Sequence, residues 1–169
     1  MKFRPGRPSD ASALAAISIE VWLGTYIRKG VSAVFADFAL NAFTPPKLTA
    51  LLDDPTEHVI VSGNEDGIDG FIRLSQGKAA PVPDCSTLEI ATLYVQPRHQ
   101  GRGPGKALLE EGLTFARSAG APSVWLTTNS ENTPAIRFHL KQGFEKVGSA
   151  PFTIQDQAYP NDVFRRMLA

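Results

Sequence analysis

The first chemically suggestive feature of this sequence is a glycine-rich loop, QPRHQGRGPGKALLEEG, at residues 96–112. It holds four glycines and two prolines among cationic side chains and then changes into a helical pattern. A glycine turn at the start of a helix leaves several amide N–H groups unpaired beside the positive end of the helix dipole. Pro104 favours a preformed helix start, because proline removes an N–H that has no partner there. The loop is therefore predicted to bind a phosphate group.

Two well-known phosphate-binding motifs do not fit this loop. A Walker loop, G-x-x-x-x-G-K-[ST], needs a glycine at Gln100 and a hydroxyl at Ala107. The dinucleotide fingerprint G-x-G-x-x-G fits Gly101 and Gly103 but requires a third glycine at Lys106, and it normally opens the first strand-helix unit of its domain. A glycine turn that only joins a strand to a helix is the alternative interpretation.

Composition limits the partners of this chain. Of its 169 residues 43% are hydrophobic, which predicts a single domain over residues 1–169 with a sizeable core. Seventeen basic and seventeen acidic residues cancel, and no stretch approaches the roughly 20 apolar residues of a membrane span. We therefore expect a cytoplasmic protein with no nucleic-acid and no membrane partner. Cys85 is the only cysteine and the three histidines show no ligand spacing, so we predict no metal.

The elements that must position the loop follow from the apolar periodicity. A short strand precedes a helix that begins near Ser9 or Asp10, and TPPKLTALLDD predicts a helix capped by Thr44. HVIVSG and IDGFIRL around NEDG predict a hairpin. TLEIATLYV is the strongest predicted strand. It is followed by the glycine loop, a helix ending at Gly120, the strand SVWLTT, the helix TPAIRFHLKQG and two closing strands. This order predicts an α/β fold with a β-α-β-α-β core.

Two separated segments, LEIATLYVQPRHQGRGPGKALLEEG and VWLTTNSENTPAIRFHLKQGF, resemble the GNAT superfamily of N-acetyltransferases. The family signature [QR]-x-x-G-x-[GA] is matched by Gln100, Gly103 and Gly105. An asparagine followed by an A-x-x-F-[Y]-x-x-x-G-F helix is matched from Asn132 to Phe144. The resemblance implies a mixed, mostly antiparallel sheet of about seven strands with about four flanking helices and a splayed central strand pair.

The resemblance also implies the cosubstrate and where it binds. Acetyl-CoA would place its pyrophosphate on the loop amides and its pantetheine arm along the preceding strand, and the chain would be an acyltransferase. The implied cofactor-binding residues are Leu93, Tyr94, Val95, Gln100, Gly101, Arg102, Gly103, Pro104, Gly105, Lys106 and Asn132. Asn132 equally suits a role as a helix cap alone, because asparagine is a strong N-cap residue.

Glu89 is the predicted general base. The nucleophile in amide formation is the lone pair of a free amine, so an ammonium substrate must lose a proton. Glu89 stands in the strand at the position where many enzymes resembling this chain carry such a base, and strand alternation puts Glu89, Ala91 and Leu93 on one face. The alternative is a carboxylate that orients the substrate or is satisfied by local N–H groups.

His139 is the second predicted catalytic residue, because it stands where the resembling enzymes carry a tyrosine. That tyrosine hydroxyl donates a proton or a hydrogen bond to the departing thiolate, and a neutral imidazole also keeps one N–H donor. In the alternative interpretation, His139 between Phe138 and Leu140 only covers the edge of the core. Tyr94 or Tyr159 would then supply the proton.

The amine acceptor is less well defined by the sequence. Resembling enzymes gather it between the first helices and the loop that joins the last two strands, so Tyr26 and Tyr159 are predicted to bind the substrate. The neighbouring aromatic residues Trp22 and Phe35 also suit a purely structural role, because aromatic side chains dominate cores.

The sequence is compatible with several classes of acceptor. The terminal segments look similar to the bacterial polyamine (spermidine/spermine) N-acetyltransferases, and a polyamine would suit the carboxylates of Glu89, Asp156 and Asp162. A lysine or N-terminus of a protein is an alternative acceptor. A non-catalytic acetyl-CoA-binding regulator is a third hypothesis, since a fold does not guarantee its chemistry. The oligomeric state, monomer or homodimer, also stays open.

Overall fold

The computed structural model describes residues 1–168, which form seven β-strands and five α-helices. The strands are β1 (Lys2–Pro5), β2 (Glu57–Gly63), β3 (Ile68–Ser75), β4 (Glu89–Val95), β5 (Ser123–Asn129), β6 (Glu145–Ile154) and β7 (Gln157–Met167). The helices are α1 (Ala11–Tyr26), α2 (Ala33–Ala42), α3 (Pro45–Asp53), α4 (Pro104–Ser118) and α5 (Thr133–Lys141). Short 3₁₀ turns occupy Pro8–Asp10 and Pro97–His99.

The strands form one sheet in the order β1-β2-β3-β4-β5-β7-β6. β4 and β5 are parallel, whereas β7 is antiparallel to both of its neighbours, which confirms the predicted mixed seven-stranded sheet. The five helices agree with the expected number of about four. The helices α2 and α3 are separate, because Thr44 starts a new helix by accepting a hydrogen bond from the Lys47 amide and Pro45 follows it.

The first of two compact units comprises residues 1–74 and 92–112. Its core packs α1 and α3 against β2 and β3 through the buried residues Leu14, Ala15, Ile17, Leu48, Val59, Val61 and Phe71. The Arg4 guanidinium donates two hydrogen bonds, of 2.8 and 2.9 Å, to the Asp10 carboxylate and lowers the pKa of that carboxyl. This unit carries the end of β4 and the whole glycine loop.

The second compact unit comprises residues 75–91 and the chain from Leu113 onward. β7 lies between β5 and β6, and the side chains of Val124, Leu126, Val163 and Phe164 are almost completely buried. The connection that follows β3 is fastened to this unit: Arg165 donates to the Asp84 carbonyl at 2.7 Å, and the indole of Trp125 donates to the Lys78 carbonyl at 3.2 Å. A single domain over residues 1–169 stays a prediction.

None of the helices within residues 1–168 is long and apolar enough to cross a lipid bilayer.

Candidate functional site

The glycine loop adopts a conformation that only glycine takes readily. Gly101 has φ 78° and Gly103 has φ 100°, in the left-handed region that side chains with a Cβ disfavour. Apart from the adjoining residues of the chain, no atom of the described residues lies within 4 Å of where a Cβ would stand at either position, so the space above both glycines is open. The loop is therefore shaped by backbone conformation and leaves room for a ligand at its backbone.

The loop amides divide into a bonded and an unbonded group. The Arg102 N–H donates to the His99 carbonyl at 3.3 Å, and the Ala107 N–H makes the first bond of α4 to the Gly103 carbonyl at 3.1 Å. Within the described part of the chain no acceptor is bonded to the remaining amides from Gly101 onward, which belong to Gly101, Gly103, Gly105 and Lys106. Unpaired amides at a helix N-terminus attract anions.

The charges around the loop have the same sign as its amides. The side chains of Arg102 and Lys106 are exposed, and no acidic residue occupies the first turn of α4. The partial positive charge at the start of a helix adds to these cations. The buried Pro104 at the first position of the helix removes one N–H, as the sequence predicts. This arrangement suits a phosphate or pyrophosphate group.

The end of β4 leads directly into the loop. The Gln100 side-chain amide reaches back and donates to the Val95 carbonyl at 3.0 Å, and the side chains of Leu93 and Tyr94 are partly buried. The Tyr94 ring contacts Phe71 edge to face, with centroids 5.8 Å apart. Burial raises the pKa of Tyr94 to about 12, so its phenol keeps its proton at neutral pH.

Tyr26 lies at the edge of an aromatic cluster that joins α1 and α2. Its ring centroid is 4.8 Å from that of Trp22, and Phe38 stacks on the same indole at 4.8 Å. Trp22 is 5% exposed, so it is a core residue, whereas Tyr26 and Phe35 are partly exposed. Of the aromatic residues singled out in the first helices, Tyr26 and Phe35 are thus accessible to a ligand.

Glu89 begins β4 in the second unit. It is registered with Trp125 of β5, and the Trp125 N–H donates to the Leu88 carbonyl at 3.2 Å. The neighbouring Ile90 is 4% exposed, whereas Glu89 is partly exposed. The residues from Ala91 to Tyr94 are all partly exposed, so burial along β4 does not follow the predicted alternation. The role of Glu89 as a general base stays a prediction.

Asn132 caps α5. Its side-chain oxygen accepts a hydrogen bond of 3.3 Å from the Ala135 N–H, and its own N–H donates to the Asn129 carbonyl at 3.0 Å. The capping role considered for Asn132 is therefore present. The carboxamide nitrogen stays available as a donor, because capping uses only the oxygen.

His139 lies inside the second unit rather than on its surface. It is 7% exposed, and its ring centroid is 5.3 Å from Phe138, 5.6 Å from Phe144 and 6.1 Å from Phe164. Its Nδ1 is buried without a hydrogen-bond partner in the described residues. Burial lowers the pKa of His139 to about 4, so the imidazole is neutral at physiological pH. These surroundings favour the core-packing alternative, and a role in catalysis stays a prediction.

Tyr159 lies in β7 opposite Phe152 of β6. It borders a shallow cavity of about 330 Å³ on the β6–β7 hairpin, together with Pro151 and Pro160. The phenol is partly exposed, so it is accessible to a ligand in this cavity.

The two other acidic residues considered for a cationic acceptor differ in environment. Asp156 is exposed in the turn between β6 and β7. Asp162 is 8% exposed, accepts a hydrogen bond of 2.8 Å from the Ser130 hydroxyl and lies 3.2 Å from the Lys146 ammonium. Because Asp162 already has a donor and a counter-charge, only Asp156 is free to attract a soluble cation.

The predicted site residues fall into the two units. The first unit holds Tyr26, Leu93, Tyr94, Val95 and the loop residues from Gln100 to Lys106, and the second holds Glu89, Asn132, His139 and Tyr159. Ser130, which bonds to Asp162, is a residue that the sequence analysis missed. No local pattern could have revealed it, because its partner lies 32 positions further along the chain.

Several known proteins that are similar to this chain are acetyltransferases. The acetyltransferase (GNAT) family model matches residues 28–144. The chain is 29% identical to streptothricin acetyltransferase of Streptomyces lavendulae, over 87% of this chain and 82% of that protein. It is 30% identical to the N-alpha-acetyltransferase RimI of Mycobacterium tuberculosis, over 64% of this chain and 65% of that protein. The fold matches PaiA N-acetyltransferase from Thermoplasma acidophilum in complex with coenzyme A, with a TM-score of 0.80 at 18% identity over 99% and 98% of the two chains.

Proposed function

The chain belongs to the acetyltransferase (GNAT) family, and on that basis we propose that it transfers an acetyl group from acetyl-CoA to a primary amine of a small molecule. As a member of this family it is an acyltransferase that uses acetyl-CoA. The finer proposal has three parts. It concerns the identity of the acceptor and the residues that bind each substrate. It also states that the amine attacks the thioester directly while both substrates are bound.

The unpaired amides of the glycine loop carry this proposal. Four N–H groups that have no acceptor among residues 1–168, two glycines with positive φ and two exposed cations together suit the pyrophosphate of coenzyme A. The loop, the main chain at the end of β4 and Asn132 are our assigned contacts to the cosubstrate. Acetyl-CoA supplies an activated thioester whose carbonyl carbon accepts the amine nitrogen.

Glu89 is our assignment for the general base. The amine must lose a proton as its lone pair forms the C–N bond, and Glu89 accepts that proton directly or through water. The C–S bond breaks at the same carbon, and coenzyme A leaves as a thiolate that takes a proton from water to become the thiol. We assign the hydrogen bond to the departing sulfur to His139, whose neutral imidazole keeps one N–H donor.

We propose that Tyr26 and Tyr159, which are both partly exposed, bind the acceptor. A polyamine is one candidate, and because Asp162 is already paired with Lys146, Glu89 and Asp156 are our candidates for the acidic residues that would attract it. The similarity to streptothricin acetyltransferase extends over most of both chains and favours a small-molecule amine.

A second candidate acceptor is the N-terminus of a protein. It is favoured by the similarity to the N-alpha-acetyltransferase RimI. Peptide and small-molecule acceptors would share the cosubstrate and the base, and they would differ in the surface that binds the rest of the acceptor.

The experiment that tests the proposed function combines binding and turnover. Coenzyme A binding is measured by calorimetry, and thiol release from acetyl-CoA is followed with a panel of polyamines, aminoglycoside-like and amino-acid amines, and N-terminal peptides. We expect binding and acceptor-dependent thiol release with at least one small amine. Release with peptides alone would support the second candidate, and binding without any release would support a non-catalytic regulator.

Replacement of the proposed base gives the first prediction. Glu89→Gln should lower kcat/KM for the acceptor by about 10²-fold or more and leave coenzyme A affinity intact. The loss should shrink at high pH, because free amine then forms without a base. A defect of equal size at every pH would make Glu89 a residue that orients the substrate.

A further inference from the structure

The turn between β5 and α5 is fastened to β7 by both the backbone and the side chain of one residue. The Ser130 N–H donates to the Pro160 carbonyl at 2.9 Å, and the Ser130 hydroxyl donates to the Asp162 carboxylate at 2.8 Å. Two bonds from one residue fix both the position and the rotation of the turn. The turn is therefore attached to the middle strand of β5, β7 and β6.

Asp162 is well placed for this role. It is 8% exposed and is registered with Thr128 of β5 and with Ser149 of β6. Pairing with strands on both sides fixes the position of its Cα atom. A buried carboxylate is costly unless it is bonded and paired. Ser130 supplies the hydrogen bond and Lys146, at 3.2 Å, supplies the counter-charge.

The bonds within the turn carry this constraint to Asn132. The Asn129 side chain accepts a hydrogen bond of 2.9 Å from the Glu131 N–H, and the Asn129 carbonyl accepts one of 3.0 Å from the Asn132 N–H. Asn132 in turn uses its oxygen to cap α5 through the Ala135 N–H. The carboxamide nitrogen of Asn132 thus has a direction set by the turn and by the helix.

We propose that Asp162 is a positioning residue that acts through Ser130 to hold the carboxamide nitrogen of Asn132 where it binds the pantetheine arm of acetyl-CoA. The inference rests on the proposed function, because it takes acetyl-CoA as the cosubstrate and Asn132 as one of its contacts. Asp162 touches neither substrate. The proposed role of Asp162 affects binding of the cosubstrate. An acidic residue that attracts a cationic acceptor would instead affect binding of the acceptor.

The test uses two acyl donors that differ in the part the glycine loop would bind. Acetyl-CoA has the nucleotide and its phosphates, whereas acetyl-pantetheine has only the arm and the thioester. Ser130→Ala and Asp162→Ala should each raise KM for both donors by about 5- to 20-fold, as expected for loss of a partly buried hydrogen bond to a charged group. Asp162→Asn should stay within about 3-fold of the wild type, because its carboxamide oxygen still accepts from Ser130.

A matched control and a double variant complete the design. Glu145→Gln removes another ion pair of the same unit, that between Arg165 and Glu145, and should leave KM for both donors unchanged. In an Asn132→Ala background, Asp162→Ala should raise KM no further, since the contact through which it acts is already lost. If Asp162→Ala fails to fold, Ser130→Ala removes the same bond with a smaller change.

The outcomes separate this inference from the proposed function. If the wild type binds coenzyme A and Ser130→Ala changes neither KM, or if the variants change only the acceptor KM, the positioning role is wrong. Additive effects of Asp162→Ala and Asn132→Ala would also overturn it, because they would show two independent routes. A wild type that binds no coenzyme A would overturn the proposed function and the inference with it.

Discussion

The glycine loop after β4 and the turn between β5 and α5 satisfy their backbone amides in opposite ways. In the loop, the amides from Gly101 to Lys106 are mostly unpaired and the cations beside them are exposed. In the turn, Ser130 and Asn132 use their amides and their side-chain oxygens on the protein itself. The loop can therefore attract a ligand by its donors, whereas the turn contributes by its fixed geometry.

The same contrast holds for the ionisable groups of the two regions. Arg102 and Lys106 carry their charges at the surface beside the loop. His139 lies in α5, the helix that follows the turn directly, where it is buried among three aromatic rings and is neutral. Substitutions in the loop should consequently act on binding of the charged cosubstrate, and substitutions of His139 should act on stability and on the chemical step.

The largest effect is expected from Gly103→Glu. A carboxylate at this position repels phosphate, and φ 100° strains any residue with a Cβ. Losing two charge-assisted hydrogen bonds would weaken acetyl-CoA binding by roughly 3–6 kcal/mol, or about 10²- to 10⁴-fold. The matched control is Gly77→Glu, which has a similar strain at φ 72° in open space but no helix start beside it. Unchanged affinity in Gly103→Glu would refute the anion-binding loop.

The next largest effect concerns stability at low pH. His139 has a pKa of about 4 in the folded state and about 6.5 when unfolded, so the unfolded chain binds more protons between these values. Stability from this group is fully present above about pH 6.5 and falls by up to about 3 kcal/mol as the pH drops towards 4. His139→Phe should lack this loss. Urea denaturation at about pH 7.5 and pH 4.5 measures the difference, and equal pH dependence in both proteins would contradict it.

The effect of the same residue on turnover is expected to be smaller. His139→Phe should lower kcat by about 10- to 100-fold, a barrier change of about 1.4–2.7 kcal/mol, while His139→Tyr retains most activity. The reason is that tyrosine restores a donor and phenylalanine does not. Steady-state kinetics at saturating acetyl-CoA supply the measurement. Normal turnover by the Phe variant would leave His139 with its packing role alone.

The smallest effect is expected from the exposed cations of the loop. Arg102→Gln and Lys106→Gln should each raise KM for acetyl-CoA by about 2- to 5-fold at low salt, because exposed charges contribute modestly. The effect should fade in high salt, which screens such charges. Lys141→Gln, in the last turn of α5, is the control and should have no effect. An effect that persists in high salt would mean that the two side chains form buried contacts.

Much of the fold could be predicted because its signals are local. The cap at Thr44, the turn at Asn64–Gly67, the positive φ of Gly120 and the cap at Asn132 all depend on residues within four positions of one another. The cap at Thr44 also separates α2 from α3, so this helix boundary too follows from a local signal.

The sequence by itself determined the family, the order of the elements and the glycine loop, since each depends on neighbouring residues whose chemistry acts locally. Only the tertiary structure decided that His139 is buried against Phe164 and that Asp162 is bonded to Ser130 and Lys146. The physical reason is that burial and ion pairing depend on which strands lie side by side. The register of β7 with β5 and β6 brings these distant residues together, and no local pattern encodes that register.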